Sequence, residues 1–183
     1  MRALAAVTDV SVTVSIPFWN ALHARAIEPY VATPERRIHS IQKLAEAGVS
    51  VGVNVAPIIP GLNDGEMADI LAAARAAGAT HAGMVILRLP GPVKHVFEER
   101  LRASLPLRAD RVLARVRESQ GGKLYDPRFG RRGKATGEYG ATIQALFDAT
   151  KRRLGYPTSE RPSRGSTFRR PDKPGMQLKL PYG

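Results

Sequence analysis

The sequence predicts an α/β protein built on three parallel strands joined by crossover helices. Three observations carry that expectation. Runs rich in β-branched residues begin near residues 10, 49 and 83. Apolar stripes at helical spacing, with start and stop signals, lie between and after them. The resulting order, β-α-β-α-β-α, is the alternation that builds a parallel sheet with right-handed crossovers.

Each element has a local reason. Val10-Ser11-Val12-Thr13-Val14-Ser15-Ile16 reads as a strand that stops at Pro17. Thr33-Pro34-Glu35 opens a helix, with Thr33 as cap, Pro34 at the first turn and Glu35 at the positive end of the dipole. Ile38, Ile41, Leu44 and Ala45 are its buried stripe, and Gly48 ends it. Val49 to Ala56 places a valine at every other position and reads as the second strand, ending in the loop Pro57-Ile58-Ile59-Pro60-Gly61. Asn63 with Glu66 predicts a capping box ahead of Met67, Ile70, Leu71 and Ala74, and Gly78 closes that helix. Gly83 to Leu89 reads as the third strand, halted by Pro90-Gly91. Two shorter helices follow, striped by Val93, Val96 and Phe97 and by Val112, Leu113 and Val116. Near-continuously apolar parallel strands predict cover on both faces and neighbours on both edges.

The texture divides the chain into residues 1–120 (the βα units), 121–157 (a basic loop and a helix striped by Tyr139, Ile143, Leu146 and Phe147) and 158–183 (a basic, proline-rich tail expected to hold little regular structure). The net charge is +12, and +9 of it lies after residue 120. A basic segment of this kind raises nucleic acid as a partner through counterion release, with Arg131, Arg132, Lys151, Arg152 and Arg153 as the contacts. Lys151-Arg152-Arg153 also suits a helix end, where cations complement the dipole. The chain has no cysteine, which excludes disulfides, thiolate zinc and any iron–sulfur cluster held by its own thiolates. His23, His39, His81 and His95 show no metal-ligand spacing and are expected at the surface without fixed partners, so no metal site is predicted. No apolar run is long enough to span a bilayer, and Met1–Val7 lacks the length of a signal peptide. A cytoplasmic protein without membrane partners is the expectation.

In α/β proteins chemistry sits at the carboxyl ends of the strands. Here those ends carry Pro17-Phe18-Trp19-Asn20 with Glu28-Pro29, then Pro57 to Asp64, then Arg88-Leu89-Pro90-Gly91. Glu28-Pro29, Pro34-Glu35-Arg36-Arg37, Ala47-Gly48-Val49 through Val55-Ala56-Pro57 to Asn63-Asp64, Leu87-Arg88-Leu89-Pro90, Gly121-Gly122-Lys123-Leu124-Tyr125-Asp126 and Gln177-Leu178-Lys179-Leu180, taken in series, resemble the radical S-adenosylmethionine proteins related to spore photoproduct lyase, described as DNA repair photolyase-like. The resemblance runs over nearly the whole chain. It implies a partial (β/α)6 TIM-like barrel of which this chain is the C-terminal half, with a basic helical and irregular tail. It also implies a [4Fe–4S] cluster on a C-x3-C-x2-C loop that cleaves S-adenosylmethionine to a hydrogen-abstracting radical.

The cluster motif and a first half-barrel are absent from these 183 residues, so a truncated product, inactive alone, is expected. What the resemblance leaves here is the cofactor's other wall. Ser15 or Asn20 would meet the ribose, and Gly52-Val53-Asn54 would lie near the adenosine. Arg88 would pair with Glu28 or with the methionyl carboxylate. The open edge of the first strand predicts pairing with the missing half or self-association. The alternative from the residues alone is a non-catalytic basic α/β module that grips nucleic acid after Gly121.

Overall fold

A computed structural model describes residues 9–124 and 137–157, together with Ala3 and Ala5, both helical. The strands are β1 (Ser11–Ser15), β2 (Ser50–Ile58) and β3 (His81–Ile86), all parallel, in the order β1-β2-β3. The helices are α1 (Ala21–Ile27), α2 (Pro34–Glu46), α3 (Met67–Ala76), α4 (Val93–Ser104), α5 (Pro106–Ser119) and α6 (Gly137–Arg153), with a 3-10 turn at Asp64–Glu66. None of the helices among the described residues is long and apolar enough to cross a membrane.

The cap predicted at the start of α2 and the glycine ends predicted for α2 and α3 form as expected. Thr33 accepts from the Arg36 N–H, Pro34 occupies the first turn, and Gly48 and Gly78 take positive φ where α2 and α3 end. The strand limits shift. β2 continues through Pro57 to Ile58, with an irregular register between Val55 and Ile58, and β3 starts at His81 and ends at Ile86. Arg88 therefore lies beyond the strand and is exposed, so it is not a charge held inside an apolar strand.

The larger correction concerns the faces of the sheet. Register pairs Ser11 with Ser50, Thr13 with Gly52 and Ser15 with Asn54, then Gly52 with His81 and Asn54 with Gly83. Partners in register share a face, and side chains alternate along each strand. One face therefore carries Val12, Val14, Val51, Val53, Val55, Ala82, Met84 and Ile86; α2 and α3 pack on it, with Val51, Val53, Val55, Ile41, Ile70 and Leu71 fully buried. The other face carries serine, threonine, glycine, asparagine and histidine, and no helix among the described residues packs across it. The valines are continuous on one side only, so cover on both faces is not needed.

A second cluster sits beyond the carboxyl ends of the strands. Phe18, Ile59, Leu62, Leu87 and Leu89 from the strand-end loops meet Phe97 and Leu101 of α4 and Ala109, Val112, Leu113 and Val116 of α5. Val93 and Val96 point outward instead, because α4 buries Phe97 and Leu101. Leu146 is likewise exposed on α6, whose buried stripe is Gly140, Ile143, Phe147 and Thr150.

α6 is tied back to the body at both ends. The Tyr139 hydroxyl donates to the Asp64 carboxylate, with the Arg115 guanidinium 4.6 Å from the ring centre. The Tyr156 hydroxyl donates to the Leu71 carbonyl at 2.8 Å. Burial pushes both phenols up to about 12, and the Asp64 carboxylate adds to the shift at Tyr139. A folded-state pKa raised above 10 contributes stability that is complete below pH 10 and is lost as pH rises towards 12. Wild type should therefore lose its advantage over Tyr156→Phe across that window, measured as urea midpoints at stepped pH; a constant difference would show that Tyr156 does not titrate late.

Candidate functional site

The strand-end loops are locked together by two side chains. Asn63, fully buried, does not cap the following helix as expected. Its Oδ1 accepts from the Ile59 N–H at 2.6 Å, and its Nδ2 donates to the Pro17 and Pro57 carbonyls at 2.6 and 3.0 Å. It joins the end of β1 to the loop after β2. Glu66, expected to serve its own helix, instead serves α1: its Oε2 accepts the Trp19 and Asn20 N–H groups at 2.6 and 2.9 Å.

The other Glu66 oxygen meets His23 Nδ1 at 2.7 Å, and His23 Nε2 lies 3.1 Å from an Arg108 nitrogen. An arginine only donates, so Nε2 accepts and Nδ1 carries the proton given to Glu66. His23 therefore has two fixed partners, against expectation. α1 is itself an element that the sequence reading passed over. Its signal was present as Asn20 ahead of Ala-Leu-His-Ala-Arg-Ala, and Asn20 Oδ1 accepts from the Leu22 and His23 N–H groups at 2.8 and 3.2 Å. The acceptor proposed for a ribose is spent on that cap.

Glu28 and Arg37 form the third lock. The Arg37 guanidinium donates to the Ser15 carbonyl at 2.6 Å and the Ala32 carbonyl at 3.0 Å, and stands 3.6 Å from Glu28 Oε2. Arg37 therefore takes the partnership with Glu28 that Arg88 was expected to make. Arg88 has neither hydrogen bond nor ion pair among the described residues. Beside Glu28 and Arg37 a shallow hollow of about 180 Å³, open to solvent, is lined by Ile16, Phe18, Ala24 and Val31. Much of that space is open solvent, and what it encloses would hold little more than a water molecule, so the hollow is no small-molecule site.

The polar face of the sheet is the remaining candidate. The His81 ring crosses β2 over Gly52: a Cβ on Gly52 would lie 2.2 Å from the imidazole. Ser11 and Thr13 hydroxyls reach His81 Nε2 at 3.3 and 3.4 Å, and the Thr80 hydroxyl reaches Nδ1 at 3.2 Å. The backbone that Gly52 would offer to an adenosine is thus covered by this ring, and His81 too departs from the partnerless surface expectation. One register step further, the Asn54 carboxamide lies beside Gly83, where a Cβ would be 3.3 Å from its Oδ1. Ser15 precedes Asn54 across the sheet, exposed, and neither side chain is hydrogen-bonded among the described residues. Ser15, Asn54 and Gly83 therefore form one row across the open face near its carboxyl end, with Arg88 beyond it.

His39 and His95 are exposed. Arg152 and Arg153 are exposed at the end of α6, and Lys151 lies 5.4 Å from the Phe147 ring centre. Arg131 and Arg132 lie outside the described residues. In comparisons with known proteins, no family model, no curated protein and no solved structure matches this chain.

Proposed function

We propose that this chain supplies one wall of an S-adenosylmethionine site in a photolyase-like radical enzyme, with the polar face of its sheet turned to the ligand. The observation that carries this reading is the row Ser15, Asn54 and Gly83: a hydroxyl and a carboxamide without partners among the described residues, on an open face at the strands' carboxyl end. A ligand with ribose hydroxyls and an amino-acid end needs a few fixed donors and acceptors of this kind. Arg88 would take its carboxylate, and Glu28 would hold Arg37 on the strand end rather than touch the ligand. Asn20 drops out of the set, because its side-chain oxygen already caps α1.

The residues do not fit an iron–sulfur cluster, since the chain has no cysteine. The cluster's thiolates must therefore come from polypeptide outside these 183 residues, which would also close the open face. When bound, S-adenosylmethionine and that cluster would supply hydrogen-abstracting chemistry; the residues here bind and orient.

Calorimetric titration of the full chain with S-adenosylmethionine tests the wall directly. Weak binding is expected, lowered at least tenfold by Asn54→Leu and by Arg88→Ala, neither of which enters a packed core. Binding that ignores both substitutions would overturn the reading. Anaerobic reconstitution with iron and sulfide should give a brown, cofactor-cleaving species only when a polypeptide carrying C-x3-C-x2-C is joined or added.

A further inference from the structure

β1 is an end strand of the sheet, and its sequence lacks the usual protections of an edge. Ser11-Val12-Thr13-Val14-Ser15 holds no charge, no proline and no glycine. Uncharged, β-prone segments of this kind pair readily with copies of themselves. The ladder fixes which backbone groups face outward. Ile16 donates to the Asn54 carbonyl at 2.9 Å, so Ile16 and Val14 turn their backbone groups to β2. Alternate residues of a strand bond to opposite sides, so Ser11, Thr13 and Ser15 turn theirs to the outer edge. No strand among the described residues pairs with them there.

At one point this outward row is closed. The Arg37 guanidinium donates to the Ser15 carbonyl at 2.6 Å, and its Nε donates to the Ala32 carbonyl at 3.0 Å. Glu28 Oε2 stands 3.6 Å from its remaining terminal nitrogen. Arg37 belongs to the first turn of α2, which the Thr33 cap and Pro34 fix in place. The guanidinium is thus held by two carbonyls, a carboxylate and its own helix, on the path that an added strand would take.

A second copy of the chain would meet this obstacle twice. Two-fold pairing of β1 with itself over its five residues sets Thr13 against Thr13, with Ser11 against Ser15 at both ends. Such a contact is isologous, so each Ser15 carbonyl would have to accept from the facing Ser11 N–H. Both carbonyls are already taken, and displacing each arginine strips a charged donor of its partner. A strand from a different polypeptide would meet the arginine once and could stop at Thr13. We propose that Arg37 is an edge guard, which keeps β1 from pairing with a second copy of this chain.

The chain has no cysteine, so an engineered thiol reports without background. Thr13→Cys puts one thiol per copy, exposed, at the centre of the pairing. In the otherwise wild-type chain it should cross-link to a second copy no faster than Gln42→Cys, an exposed control on α2. Adding Arg37→Met should speed cross-linking at position 13 at least tenfold. Adding Glu28→Lys, which repels the guanidinium, should speed it at least threefold. In sedimentation the cysteine-free Arg37→Met chain should associate, and Thr13→Pro, which removes an outward N–H, should reverse that. Fast cross-linking at position 13 with Arg37 in place would overturn the proposal, and so would association of Arg37→Met that survives Thr13→Pro. An unchanged rate with Glu28→Lys would overturn it too, even if Arg37→Met fails to fold.

Discussion

Replacing Asn63 with leucine should lower stability by roughly 3–5 kcal/mol. The side chain is fully buried and satisfies three backbone groups at once: the Ile59 N–H and the Pro17 and Pro57 carbonyls. Leucine fills a similar volume but leaves all three without a partner, and each buried orphan group costs about 1–3 kcal/mol. Part of that sum is recovered as the loops relax towards water. Asn63→Asp separates the donors from the acceptor. Its carboxylate can still accept from Ile59, but it cannot donate to either carbonyl, so it too should be severely destabilised at pH 7. The aspartate's folded pKa is then raised, so its penalty should shrink as pH falls and the acid regains one donor. Urea denaturation of the two variants at pH 7 and pH 4.5 measures both claims. A loss under 1 kcal/mol for Asn63→Leu would mean that Asn63 is not the pin between β1 and the loop after β2.

Gly52→Ala is the second large effect, and it acts through a neighbour. The added methyl would lie 2.2 Å from the His81 ring, far inside contact distance, in the middle of a central strand. The ring is held from both sides by Ser11, Thr13 and Thr80, so it cannot move without giving up those hydrogen bonds. Overpacking of this kind costs about 1–3 kcal/mol. The diagnosis lies in the double variant: with His81→Ala the methyl meets no ring, and Gly52→Ala should become nearly neutral or stabilising, since alanine restricts the unfolded chain. A double-mutant cycle with no coupling between positions 52 and 81 would show that the glycine is not there for the histidine.

Much of the frame was legible from pattern. Alternating β-branched runs, Thr33-Pro34-Glu35 and the glycines at 48 and 78 predict strands and helix ends that the structure contains. The faces of the sheet were harder to read. Val-x-Val-x-Val looks apolar throughout when the intervening residues are small, yet Ser11, Thr13, Gly52 and Asn54 occupy one side consistently. Site residues were misread where a side chain serves backbone far along the chain. Glu66 lies 47 residues from the Trp19 amide it accepts, and Asn63 lies 46 from Pro17. Capping rules describe only local partners, so Asn63 with Glu66 pointed to a capping box that does not form. The grip of Arg37 on the Ser15 carbonyl was not legible, because such a bond depends on where the chain returns.

Glu66 has one more consequence, for how the molecule opens. Its two oxygens hold the start of α1 and His23, while its backbone belongs to the turn after β2. The connections that follow the first and second strands are therefore fastened by this carboxylate as well as by Asn63, and neither can detach while both stay in place. In native-state exchange they should behave as a single cooperative unit with one opening free energy, not as two independently fraying loops. A molecule joined in this way presents its strand-end surface whole or not at all.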